Sequence, residues 1–185
     1  KKTTVGICFQ NRYNASVQYI KKLLDSGESG KILGARAFVT WCRGKDYYTD
    51  SGWRGSLRTE GGSVLINQSI HTLDLLIYFM GKPLFAEASC ANHHLKNVIE
   101  VEDTMEAYLD FGNARALFFA STAYSTDSPV MLELNCENMT IKMEEHEVTI
   151  IHKNGRIDRL SFSASATAIG KAYWGGLNIV PVILF

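Results

Sequence analysis

Asn67, His71, Asp74 and Tyr78 recur at i, i+4, i+7 and i+11, the spacing that lines up one stripe of a helix. A neutral imidazole can take a proton near pH 7 and later return it. Asp74, one turn after His71, has the type and spacing to fix the ring tautomer or stabilise an imidazolium. Asn67, one turn before, has an amide that can orient a hydroxyl or carbonyl oxygen. Val64, Leu65, Ile66, Ile70, Leu73, Leu76, Ile77 and Met80 surround the stripe with apolar residues. Polar groups on such a helix need partners or destabilise the fold. The stripe is therefore either a satisfied core network or the wall of an active site.

The segment before this helix carries Tyr47, Tyr48, Trp53, Arg54 and Arg58. Rings beside arginines suit a sugar-like or acidic molecule, though Trp53 pinning a surface loop is an equal reading. Arg12 is a further pocket candidate, or a surface ion-pair partner. His93 and His94 are adjacent, so on a strand they point to opposite faces and do not suit one metal ion. No nucleophile elbow, phosphate loop or G-x-G-x-x-G fingerprint occurs.

These residues need elements to position them. The spacing predicts a strand over 3–9, a helix from an Asn14 cap to Ser26, and a long strand over 32–43. A polar, aromatic loop over 44–60 leads through Gly61-Gly62 into one continuous helix ending near Gly81-Lys82-Pro83. Strands are predicted over 84–93, 104–111, 114–123, 130–136, 139–143, 147–152 and 156–162. Gly112-Asn113 and Asn154-Gly155 mark hairpin turns. The fold class is α+β: a mostly antiparallel open sheet of about seven or eight strands, with helices on one face. Leu117 and Phe119 alternate with Phe118 and Ala120, so the second sheet face is apolar too; a homodimer through that face is the expectation, with a two-layer domain whose second face is solvated as the alternative.

Composition excludes several classes. The 185 residues suit a single domain, and Lys plus Arg (19) balance Asp plus Glu (19), which gives no case for nucleic acid or an anionic membrane as partner. No apolar run approaches the roughly 20 residues that span a bilayer. Cys8, Cys42, Cys90 and Cys136 are far apart and read as buried free thiols of a cytoplasmic protein. The apolar run after Lys171 makes 176–185 an atypical tail.

Trp53-Arg54, Gly61-Gly62, Leu65, Asn67, His71, Asp74 and Gly81 together resemble the second domain of the Gfo/Idh/MocA oxidoreductases, the family of glucose–fructose oxidoreductase and myo-inositol dehydrogenase. Phe9-Gln10-Asn11-Arg12, the Gly27–Ile32 turn and Lys171-Ala172-Tyr173-Trp174-Gly175 resemble further family elements in the same order. The resemblance implies an NAD- or NADP-dependent enzyme acting on a sugar, polyol or related hydroxyl or carbonyl compound. It also implies that residues 1–185 are the C-terminal substrate and dimerisation domain. The family's N-terminal Rossmann domain and its E-K-P motif are not in this sequence, so no cofactor-binding residue is expected in the chain, which alone should be inactive. By position, His71 and Asn67 are the catalytic candidates, and Arg12, Trp53, Arg54, Gln68 and Asp74 the substrate-binding ones. No metal is implied. Asn67 stands where many members have aspartate, so only an orienting role transfers to it. The alternative is a non-catalytic, sheet-based dimerisation or ligand-binding module.

Overall fold

Alternation of apolar and polar residues builds most of this molecule. The computed structural model describes residues 7–162. Eight strands form one open sheet in the order β2-β3-β4-β1-β5-β6-β7-β8. They are β1 (Ile32–Thr40), β2 (Phe85–Ala91), β3 (Thr104–Asp110), β4 (Arg115–Ser121), β5 (Met131–Cys136), β6 (Met139–Glu144), β7 (Glu147–His152) and β8 (Ile157–Ser161). Every pairing is antiparallel except that of β1 with β4, where Phe38 lies beside Phe119.

Period-two patterning sends Ala37 and Val39, Ala116 and Phe118, Leu132 and Leu134, and Ile141 and Met143 to one face. Helices α1 (Ala15–Asp25) and α3 (Ile70–Met80) cover that face, with Val17, Ile20, Leu75, Leu76 and Phe79 in the same core. The other face carries Leu33 and Leu117, 50% and 59% exposed, together with Phe38, Phe119 and the Arg36–Glu133 ion pair. The expected α+β class, strand count and placement of the helices hold.

Several expectations give way. Residues 7–9, the described part of the strand expected over 3–9, are not in a strand. Asn14 precedes α1 with extended backbone, yet its side chain makes no cap bond. The stretch 44–60 contains a short helix, α2 (Lys45–Thr49), which buries Tyr48. Of the four thiols only Cys136 is buried; Cys8, Cys42 and Cys90 are exposed, the last because it lies on the edge strand β2, none of whose residues is buried. The Lys171–Gly175 element and the 176–185 tail lie outside the described residues.

The largest departure is in the segment around His71. It is not one continuous helix. Val64–Gln68 form a π-helical turn, Ser69 interrupts, and α3 starts at Ile70. The Ser69 N–H donates five residues back to the Val64 carbonyl at 2.9 Å, and the Ser69 hydroxyl donates to the same oxygen at 2.7 Å. Glu102, from the loop before β3, accepts from the N–H groups of Ser63 (2.8 Å) and Leu65 (3.1 Å) through Oε1. The wide turn is thus held at both ends by polar groups, as π-turns at functional sites often are.

Candidate functional site

The π-turn carries Asn67 and Gln68, which bond Glu60 and Tyr47 of the preceding stretch, and the first turn of α3 carries His71. Asn67, Gln68 and His71 line a cavity of about 660 Å³, a volume usual for small-molecule sites. Arg54 and Tyr47 reach it from the loop side, and Asn11 and Asn14 from the segment before α1. Several polar atoms of this wall are left without partners among the described residues. His71 Nδ1, Gln68 Oε1, Asn11 Oδ1, Asn14 Oδ1 and Arg54 Nε are each buried and make no hydrogen bond to another described residue. Buried polar atoms in native proteins are nearly always paired, so a cluster of orphans around one cavity marks a place built for a ligand.

His71 is half-buried, and burial pushes its imidazole below its ordinary value, while the charge of Asp74 pulls the other way. The ring is therefore neutral at pH 7 and ready to accept a proton. The Phe9 ring meets it edge-on at 6.0 Å.

Asp74 does not hold the His71 ring. Its carboxylate forms a two-pronged pair with Arg12, Nε to Oδ2 at 2.7 Å and Nη2 to Oδ1 at 2.5 Å. The Arg12 guanidinium also stacks over Tyr78 at 4.9 Å. Arg12 and Asp74 thus tie the segment before α1 to α3 and do not line the cavity. Trp53 also stays off the wall, 46% exposed, with the Arg54 guanidinium 4.9 Å from its ring. Asn67, Gln68, His71 and Arg54 are the expected residues that the cavity brings together.

Asn67 has a fixed orientation. Its Nδ2 donates to Glu60 Oε1 at 2.7 Å, while Glu60 Oε2 accepts from the Gly55 N–H at 2.6 Å. With the nitrogen committed, Oδ1 is the atom of the amide left to accept from a ligand. Gly55 has a φ of +78°, and a Cβ there would lie 2.7 Å from Ile99 Cγ2, so only glycine lets the loop turn here and hold Arg54 beside the cavity. Gln68 is oriented likewise: its Nε2 donates to the Tyr47 hydroxyl at 3.2 Å.

Sequence reasoning passed over Glu60, Arg43, Asn14 and His146, of which the last three line the same cavity. Glu60 stands seven residues before Asn67, a helical spacing that could have flagged it had the glycine pair not intervened. His146 arrives on the β6–β7 turn, and no spacing in the sequence links it to His71.

The sequence model described as GFO/IDH/MocA C-terminal domain matches residues 17–142. No curated protein sequence matches the chain. Among solved structures, the WlbA dehydrogenase from Bordetella pertussis, in complex with NADH and UDP-GlcNAcA, is 28% identical with a TM-score of 0.69, over 84% of this chain and 46% of that one. Levoglucosan dehydrogenase in complex with NADH and levoglucosan shares the fold at 18% identity and a TM-score of 0.75, over 90% of this chain and 52% of that one. An inositol dehydrogenase homolog complexed with NAD+ from Azotobacter vinelandii does so at 14% and 0.76, over 85% and 43%. The chain spans about half the length of these structures.

Proposed function

The chain belongs to the GFO/IDH/MocA C-terminal domain family, and from that premise we propose that it is the substrate-binding half of an NAD(P)-dependent oxidoreductase acting on the hydroxyl or carbonyl of a sugar, polyol or related compound. The observation that carries this reading is the ring of unpartnered polar atoms around a cavity that also holds a neutral histidine. The described residues form no glycine-rich cradle for a dinucleotide; their orphan atoms suit a polyhydroxylated substrate lying against one. The nicotinamide, held by a nucleotide-binding domain, supplies the hydride acceptor.

His71 takes the hydroxyl proton as the carbon loses its hydride, and in the reverse direction returns it to the new alkoxide. The Asn67 amide oxygen, set by Glu60, accepts from a neighbouring hydroxyl, and Gln68 Oε1 does the same. Asn67 cannot itself serve as a base, so of the two catalytic candidates His71 carries the proton transfer. The Arg12–Asp74 pair keeps the Phe9 segment, and with it the ring edge against His71, in place.

The protein works as a homodimer through the outer face of the sheet, in the cytoplasm. Supporting this are Leu33 and Leu117, both large, apolar and exposed on that face. No described helix is long and apolar enough to cross a membrane. Leu117→Asp should convert a dimer to monomers in sedimentation runs; a monomeric wild type would remove the dimer.

The test of the activity is a screen of the intact protein against polyols, sugars and sugar acids with NAD+ and NADP+, read by formation of reduced nicotinamide. Turnover by wild type and a loss of about 10²-fold or more in kcat/KM for His71→Ala support the reading. Tight binding of sugars with no turnover on any would leave a binding module instead.

A further inference from the structure

Among the described residues lining the cavity, Arg54 is the arginine whose charge meets no carboxylate. Its carbon lies 4.3 Å from the Tyr47 ring centroid, and that of Arg43 lies 5.4 Å from the same centroid. Two cations therefore share one aromatic ring beside the cavity. Arg43 is neutralised: its Nη1 donates to Asp127 at 2.9 Å and 3.2 Å. Arg54 is not. No carboxylate among the described residues lies within ion-pair distance of it, its Nη1 reaches only the Tyr47 carbonyl at 3.5 Å, and its Nε is buried without an acceptor. The acid near it in the fold, Glu60, has one oxygen on Asn67 and the other on the Gly55 N–H. Glu145, the acid on the cavity wall, pairs with no arginine.

A planar, always-charged fork that lines the cavity, is stacked on Tyr47 and Trp53 and keeps an unpartnered donor is suited to two-pronged recognition of an oxyanion. We propose that Arg54 binds a carboxylate or phosphate group carried by the same molecule whose hydroxyl meets His71. The substrate is then an acidic sugar derivative and not a neutral polyol. This deepens the proposed function and rests on it for the identity of the bound molecule as a substrate. Asn67 and Gln68 stand between the two groups in sequence and line the same cavity, where they suit the hydroxyls of the linking carbons.

The experiment compares glucuronate, glucose and inorganic phosphate as ligands of the intact protein by titration calorimetry without cofactor. The expected result is glucuronate binding at least about tenfold tighter than glucose, the scale of one charge-assisted pair. Arg54→Gln should erase that difference and Arg54→Lys should keep part of it. Competition by phosphate assigns the site to phosphoryl as well as carboxyl oxygens; its failure restricts it to carboxylates. Should Arg54→Gln fail to fold, wild type still decides: glucuronate affinity must fall as salt is raised, while glucose affinity stays level. Equal binding of glucuronate and glucose, or binding of neither, overturns the assignment, as does a loss in Arg54→Gln confined to NADH or NADPH affinity. Turnover of a neutral polyol at wild-type rate by Arg54→Gln would sink the anion site and leave the oxidoreductase reading intact. Glucuronate binding that depends on Arg54, without turnover of anything, would do the reverse.

Discussion

Asp103 and His71 are both ionisable, both withdrawn from solvent, and both set near the ends of neighbouring elements, yet their surroundings are opposite. Asp103 is fully buried, and its oxygens accept from the N–H groups of His93, His94 and Leu95 and from the Thr104 hydroxyl. Burial works against its charge, but these donors outweigh burial and hold the carboxyl below the usual carboxylate range. The His71 ring has an unpartnered Nδ1 and sits among other orphans around a cavity. The comparison teaches how to tell a structural polar group from a functional one. A satisfied carboxylate closes the 92–103 loop onto the sheet, whereas an unsatisfied imidazole beside a cavity is what the proposed ligand site requires.

Substitutions should separate the two regions. His71→Ala is expected to lower kcat/KM by about 10²-fold or more while shifting the thermal midpoint little, since Nδ1 has no bond to lose. Paired kinetics and calorimetry on the intact protein check this, and a large stability loss would break the contrast. Asp103→Ala should do the converse. Several backbone donors lose their acceptor, a destabilisation of about 3 kcal/mol in urea unfolding, with kcat/KM of the folded fraction near wild type. The sign with pH follows from the depressed carboxyl. Its contribution is present above the unfolded value of about 3.9 and is lost as pH falls through the folded one, so wild type and variant should converge in acid.

Glu60→Gln probes the border between the regions. It leaves Asn67 free to flip, and should lower kcat/KM by about tenfold with a minor stability change. Unchanged kinetics would mean that the Asn67 orientation does not matter. The smallest effect belongs to Asp74→Asn. The Asp74 charge raises the His71 value against burial, so its removal should move the acid limb of the rate profile to lower pH, by about one unit or less. A shift upward would contradict the electrostatics described.

Much of the sheet was legible because alternation is a local signal. Leu132, Leu134 and Cys136 on β5 announce their face in sequence, and Asn154-Gly155 announces a turn. The π-turn was not legible. Val64, Leu65, Ile66 and Ile70 are spaced as an α-helix requires, and the extra residue in the turn is imposed by Glu102 and by the Ser69 hydroxyl, the first of them more than thirty positions away. Asp74 misled for the same reason. Its helical spacing from His71 is real, but Arg12, 62 residues away in sequence, supplies the stronger partner. Residue type and spacing pointed to His71, Asn67 and Arg54 as candidates, and the family resemblance added Gln68. That Asn67 leans on Glu60, or that Arg54 lacks a counter-charge, depends on tertiary neighbours that no spacing encodes.

The central claim is that a neutral His71 takes the substrate proton. The pH dependence of kcat/KM, measured for the intact wild type and for His71→Gln with the best substrate found, tests it most directly. The account predicts a wild-type acid limb with a midpoint below about 6.5, the ordinary histidine value, and a variant whose residual rate lacks that limb. An acid limb that persists unchanged in His71→Gln would contradict it.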